Sequence, residues 1–101
     1  MSRLLLLPIL VLTHPAFAAE PVSYNHDIRP ILAKNCTACH GGVKAAGGIS
    51  FIDREKALGT GKSGLAAISP GNPAASEMLR RIQTNDPDDH MPPAKHGPSL
   101  N

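Results

Sequence analysis

"NCTACHGG", residues 35–42, holds both cysteines of the chain, Cys36 and Cys39, and sets His40 directly after the second. Three chemistries use thiols at this spacing: a structural zinc site, a thiol–disulfide pair, and covalent anchoring of a prosthetic group. Each asks something different of the residues around it.

Upstream, "SYNHDIRPILAK" (23–34) reads as a short helix entered at Asp27 as N-cap, with Ile28, Ile31 and Leu32 forming an apolar face at i, i+3, i+4. Pro30 falls in the first turn, where backbone N–H groups have no intrahelical partner in any case. The helix therefore delivers Cys36 at its C-terminal end. Downstream, "HGGVKAAGG" (40–48) is too rich in glycine and alanine for a strand or a long helix and predicts a tight loop that lets backbone approach a bulky object.

Further out, "ISFID" (49–53) alternates apolar and polar residues over a short extended piece. Asp53 then caps a brief helix through "REKAL" that Gly59 ends. "GTGKSGLAAISPG" (59–71) reads as a flexible connector. Its Gly61-Lys62-Ser63 fails as a phosphate loop, because the pattern needs a glycine five positions before Gly61 and Lys56 stands there. "NPAASEMLRRIQT" (72–84) is the strongest helix pattern, with Asn72 as N-cap, Pro73 at the first position, and Ala75, Met78, Leu79 and Ile82 on one apolar stripe. The prolines and acidic residues of "NDPDDHMPPAKHGPSLN" (85–101) predict a structured loop, with Asp86, Asp88 and Asp89 as a solvated acidic turn.

The N-terminus, "MSRLLLLPILVLTHPAFAAE", has a positive charge at Arg3, an apolar run from Leu4 to Leu12 and an Ala16-Phe17-Ala18 site, the pattern of a signal peptide over residues 1–18. The apolar run is far shorter than the roughly 20 residues needed to cross a bilayer. Cleavage after Ala18 leaves a mature domain from Ala19 to Asn101 in the periplasm, without stable membrane insertion. With 101 residues, 42% hydrophobic but only 3% aromatic, the chain is one small domain short of large core side chains. Its 10 basic and 8 acidic residues form no basic run, which gives no case for nucleic acid.

These surroundings separate the three chemistries. Zinc needs about four ligands, yet there is no second Cys-x-x-Cys, and His90 and His96 stand six apart in a proline-rich loop. A redox pair of the thioredoxin kind needs a βαβ context, and a bare disulfide leaves His40 without a role. Covalent attachment of one c-type haem uses all three residues: Cys36 and Cys39 each add to a vinyl group of the porphyrin, and His40 follows as proximal iron ligand. Haem would also supply the apolar body that the composition lacks. For the distal ligand, Met91 lies in a loop stiffened by Pro92 and Pro93, whereas Met78 sits on the predicted helix stripe, where core packing is its expected role. His26, His90 and His96, read as solvent-facing loop histidines, are the alternatives for bis-histidine ligation, and an open sixth position is a further one.

The blocks "YNHDIRPILAKNCTACHG", "GGISFIDREKAL", "ISPGNPAASEMLRRI" and "DDHMPP" together resemble the planctomycete-type cytochrome c domain, a branch of the class I cytochromes c. The resemblance covers nearly all of residues 19–101. It implies an all-α fold wrapped around one haem, with Cys36 and Cys39 as thioether positions, His40 as proximal and Met91 as distal ligand, and Ile31, Leu32, Leu79, Ile82 and Pro92 around the haem or the helix contacts. Domains of this type usually continue past the Met-Pro-Pro loop into a C-terminal helix that crosses the N-terminal one. The chain stops at Asn101, so the resemblance implies a truncated domain or a partner domain or chain that supplies the helix.

The expected function is single-electron transfer to redox partner proteins by an exported monohaem carrier that is not an enzyme. The alternatives are an electron-transfer module for a catalytic partner and a haem sensor with a displaceable sixth ligand.

Overall fold

The computed structural model of the chain describes Met1 and residues 9–100. The leader's positive charge at Arg3 and the first part of its apolar run, Leu4 to Pro8, lie outside the described residues. Among the described residues the chain is helical and forms no β-strand; two isolated bridges join His40 to Ala45 and Thr60 to Ala66. None of the described helices is long and apolar enough to cross a membrane.

Three short helices are α1 (Arg29–Asn35), α2 (Arg54–Leu58) and α3 (Glu77–Gln83). A π-helical turn over Tyr24–Ile28 precedes α1, and its N-cap is Ser23, not Asp27. Ser23 Oγ accepts from the N–H of His26 at 3.3 Å, while the Asp27 carboxylate reaches back to accept from the N–H of Ser23 at 2.8 Å. Both bonds lie at the N-terminal end of the turn, so Asp27 serves the cap from inside it. Pro30 stands at the start of α1, where the hydrogen-bond register changes from π to α, and it has no N–H to continue either ladder.

Three carbonyls near the end of α1 find partners. The Ile31 carbonyl accepts from the Asn35 side chain at 2.8 Å, the Leu32 carbonyl from the N–H of Cys36 and of Thr37, and the Ala33 carbonyl from the Thr37 hydroxyl at 3.2 Å. With the Ala33 carbonyl taken by a side chain and the Leu32 carbonyl shared, the helix stops and the chain turns at Cys36. Of the predicted apolar face, Leu32 is 7% exposed, whereas Ile28 and Ile31 are 36% and 44% exposed and line a surface groove with Leu79 and Leu100.

The core is small: Leu32, Phe51, Ala57 and Ala67 are buried, and Cys36, Ile49, Ile68 and Met78 pack against them. Asp53 caps α2 as expected, its Oδ1 accepting from the N–H of Lys56 at 3.0 Å, and Gly59 ends it. The 59–71 segment is not a loose connector. The N–H of Lys62 donates to the Gly47 carbonyl at 2.8 Å, and a Cβ on Gly61 would lie 2.6 Å from that same carbonyl oxygen, so only glycine lets the two loops meet.

The expected single helix over 72–84 is divided. Pro73–Ala75 forms a 3₁₀ turn, Ser76 is extended, and α3 begins at Glu77. Ser76 is only 4% exposed, and its Oγ accepts from the N–H of Ser69 at 2.9 Å. The N–H groups of Glu77 and Met78 donate to the carbonyls of Ala66 and Ala67, both at 3.0 Å. Tertiary partners have taken the groups that would have continued the helix.

Candidate functional site

The Cys36–His40 segment is a turn made rigid by its own backbone. The N–H groups of Cys39 and His40 both donate to the Cys36 carbonyl, at 3.2 and 2.9 Å. The carbonyls of Cys39 and His40 accept in turn from Ala46 and Phe51, both at 2.9 Å. Gly41 follows where a Cβ would collide with the Thr37 carbonyl oxygen, so no other residue fits without shifting the turn.

The His40 ring meets Phe51 edge-on, with centroids 5.6 Å apart and planes at 64°. Its Nδ1 is buried and has no hydrogen-bond partner among the described residues. Burial pushes the Cys36 thiol above its ordinary range, which keeps it protonated near neutral pH.

A cavity of about 490 Å³ brings the motif together with distant residues. Cys36, Cys39, His40 and Phe51 line it from one stretch of chain, and Met78, Ile82, Met91 and Pro92 from another. The N–H of Met91 donates to the carbonyl of Arg81 at 2.9 Å, fixing the loop to the end of α3. Met78 also touches the cavity, but it packs against the core as expected. His96 lines the cavity from an exposed position, and His26 lies outside it. His90 is not solvent-facing: it is half-buried along the neighbouring groove, with Nδ1 3.1 Å from the Pro92 carbonyl. Among the residues expected around the haem, Ile82 and Pro92 line the cavity, while Ile31, Leu32 and Leu79 line the groove.

The family model described as Planctomycete cytochrome C matches residues 36–95, well over half of the chain. The chain belongs to this family. No curated protein and no solved structure matches it. Cys36 and Cys39 agree with the paired-cysteine motif of a cytochrome c, and membership in the Planctomycete cytochrome C family implies covalently bound haem and a role in electron transfer.

The residues present fit that group. Two thiols, an imidazole with unused hydrogen-bonding capacity and a thioether share one cavity whose volume is in the range of cofactor pockets. Among the described residues, no three His, Cys, Asp or Glu side chains are gathered as they would be to hold a single metal ion. Cys36, Cys39 and His40 are instead arrayed along the lining of a cavity, which suits a broad ring more than a bare ion. The motif residues were readable from their spacing alone. Phe51, Glu77 and Arg81 also line the cavity and went unread; the alternation in "ISFID" and the i, i+4 spacing of Glu77 and Arg81 were the available signals.

Proposed function

We propose that this Planctomycete cytochrome C is an exported monohaem electron carrier with His40 and Met91 as the axial ligands of its iron. The observation that carries the reading is the convergence of Cys36, Cys39, His40 and Met91 on one largely apolar cavity, from positions as far apart as 36 and 91. Bound there, haem supplies a one-electron iron couple, and a Met/His pair raises its potential.

The chain's own residues do the rest. Cys36 and Cys39 fix the ring by thioethers, and the backbone-locked turn presents His40. Phe51 and Ile82 keep the cavity apolar, and the Met91 loop closes the sixth position. A carrier closed on both faces performs no bond-making step and needs only redox partner proteins. Met91 is preferred over Met78 because Met78 is already engaged by the core.

Export rests on the leader pattern, with cleavage after Ala18 and a periplasmic product. In keeping with a segment removed before folding, Ile9, Leu10, Val11, Leu12 and Phe17 are exposed and take no part in the core.

The test is the absorption spectrum, oxidised and reduced, of the full precursor matured by a cytochrome c assembly system and recovered from the periplasm. The expected result is haem that stays with the denatured chain, together with a native low-spin spectrum bearing a methionine–iron band. Absence of covalent haem overturns the reading; a band that persists in Met91→Ala and disappears in Met78→Ala reassigns the distal ligand.

A further inference from the structure

Beside the proposed distal ligand lies a group of four charged side chains, two of which, Glu77 and Arg81, also line the cavity. Glu77 opens α3, Arg80 and Arg81 lie in its last turn, and Asp89 stands two residues before Met91. The Glu77 side chain is only 12% exposed and accepts from both arginines. Arg80 grips it with two bonds, Nη2 to Oε1 at 2.6 Å and Nε to Oε2 at 2.9 Å, and Arg81 Nε adds a third to Oε1 at 3.1 Å. Across from Glu77, the Asp89 carboxylate pairs with Arg80 Nη1 at 3.2 Å and lies 3.7 Å from Arg81 Nη1. The hydrogen bond from Arg80 holds the Glu77 carboxyl below the usual range, so the group is charged at neutral pH.

The loop that bears Met91 is therefore secured to one helix at two points. The N–H of Met91 donates to the Arg81 carbonyl at 2.9 Å, one of the helix-end carbonyls that lack an intrahelical partner. Two residues earlier, Asp89 is tied to the guanidinium groups of the same turn. Between them, the N–H groups of Asp89 and His90 both donate to the Asp86 carbonyl, which keeps the intervening backbone folded. Met91 is not among the residues packed on the core, so these ties, more than apolar packing, decide where it sits.

We propose that Glu77, Arg80, Arg81 and Asp89 are positioning residues for Met91: they clamp its loop to α3 and set how readily its sulfur leaves the iron. This rests on the assignment of Met91 as distal ligand. Partly exposed ion pairs contribute little to global stability, so loss of one side of the clamp should loosen the loop without unfolding the domain. Carbon monoxide can bind the reduced iron only when Met91 has left, so its association rate reads the loop opening directly.

The experiment compares carbon monoxide association to the reduced, fully matured protein in five variants. Asp89→Ala should speed association roughly two- to fivefold, the change that corresponds to an exposed ion pair. Asp89→Glu should return the rate toward the parent value. Arg80→Ala, at a side chain nearly half exposed, should repeat the acceleration and covers the case in which Asp89→Ala does not fold.

Asp53→Ala removes the cap of α2 far along the chain and should lower thermal stability without altering the rate. An unchanged rate in both clamp variants, or an equal acceleration in Asp53→Ala, overturns the clamp. Met91→Ala separates the two readings. If it leaves rate and spectrum as in the parent, ligand assignment and clamp fall together; if it removes the methionine–iron band while the clamp variants change nothing, the clamp alone falls.

Discussion

Residues 36–51 and 77–93 line the same cavity, yet they are held by different forces. The first stretch is shaped by backbone hydrogen bonds between near neighbours, from Leu32 to Phe51, with a glycine where a side chain would collide with the Thr37 carbonyl oxygen. The second is held by charged side chains and by the bond from Met91 to a helix end. Backbone bonds of the first kind are indifferent to salt and to most substitutions. Ion pairs of the second kind are sensitive to both. The Cys36–His40 wall of the cavity is thus built for permanence and the Met91 wall for adjustment.

Replacing Cys36 and Cys39 together by serine should have the largest effect, complete loss of haem from the denatured chain, checked by haem-linked peroxidase staining after denaturing electrophoresis. Retained haem would remove the cysteines from their role. Met91→Ala should leave covalent haem intact but abolish the sulfur–iron band and lower the midpoint potential, measured by redox titration. An equal loss of covalent haem would erase the contrast between the two sides.

Smaller effects separate turn from loop. Gly41→Ala forces a Cβ into the Thr37 carbonyl oxygen and should cost about 1–3 kcal/mol in denaturant unfolding, with a lower yield of attached haem. Ser76→Ala strips the half-buried N–H of Ser69 of its acceptor and should cost about 1 kcal/mol by the same measurement, with attachment unaffected.

The smallest effect expected is on pH dependence. Arg80, then Arg81, hold the Glu77 carboxyl below its ordinary range, so its contribution to stability is complete above the unfolded pKa and fades as pH falls through the lowered folded value. Thermal unfolding followed downward from roughly pH 5 should therefore fall less steeply in Glu77→Gln than in the parent protein. Parallel curves would show that the pairing of Glu77 with Arg80 and Arg81 contributes nothing to the pH dependence of stability.

What could be read in the sequence follows the same division. The Asp53 cap and the Gly59 stop are decided by neighbours a few residues away, and their reading agrees with the structure. The start at Asn72 and Pro73 is there as a single 3₁₀ turn, but the helix does not run on, because Ser76 is buried against Ser69 and the carbonyls of Ala66 and Ala67 claim the N–H groups of Glu77 and Met78. None of these partners is visible in a propensity pattern. The cap at Asp27 failed more narrowly: Ser23, four residues earlier, offered a reciprocal partner, and the pair began a π turn that the 3.6-residue period does not describe. The acidic turn, read as solvated, lends Asp89 to Arg80, nine residues away. Cys36, Cys39, His40 and Met91, singled out in the sequence, all line the one cavity, while the company of Phe51, Glu77 and Arg81 depended on how the chain returns on itself.

The bonds joining the Leu32 carbonyl to Thr37 and the His40 carbonyl to Phe51 have a consequence in time. Contacts between residues close in sequence require little loop closure and form early, before long-range ones reward it. Residues 32–51 can assume their shape while the Met91 loop is still unmade, so the two thiols and the imidazole stand in register along one wall of a cavity whose other wall is still open. Order of synthesis and order of folding then agree, and the segment bearing Met91 completes the cavity last.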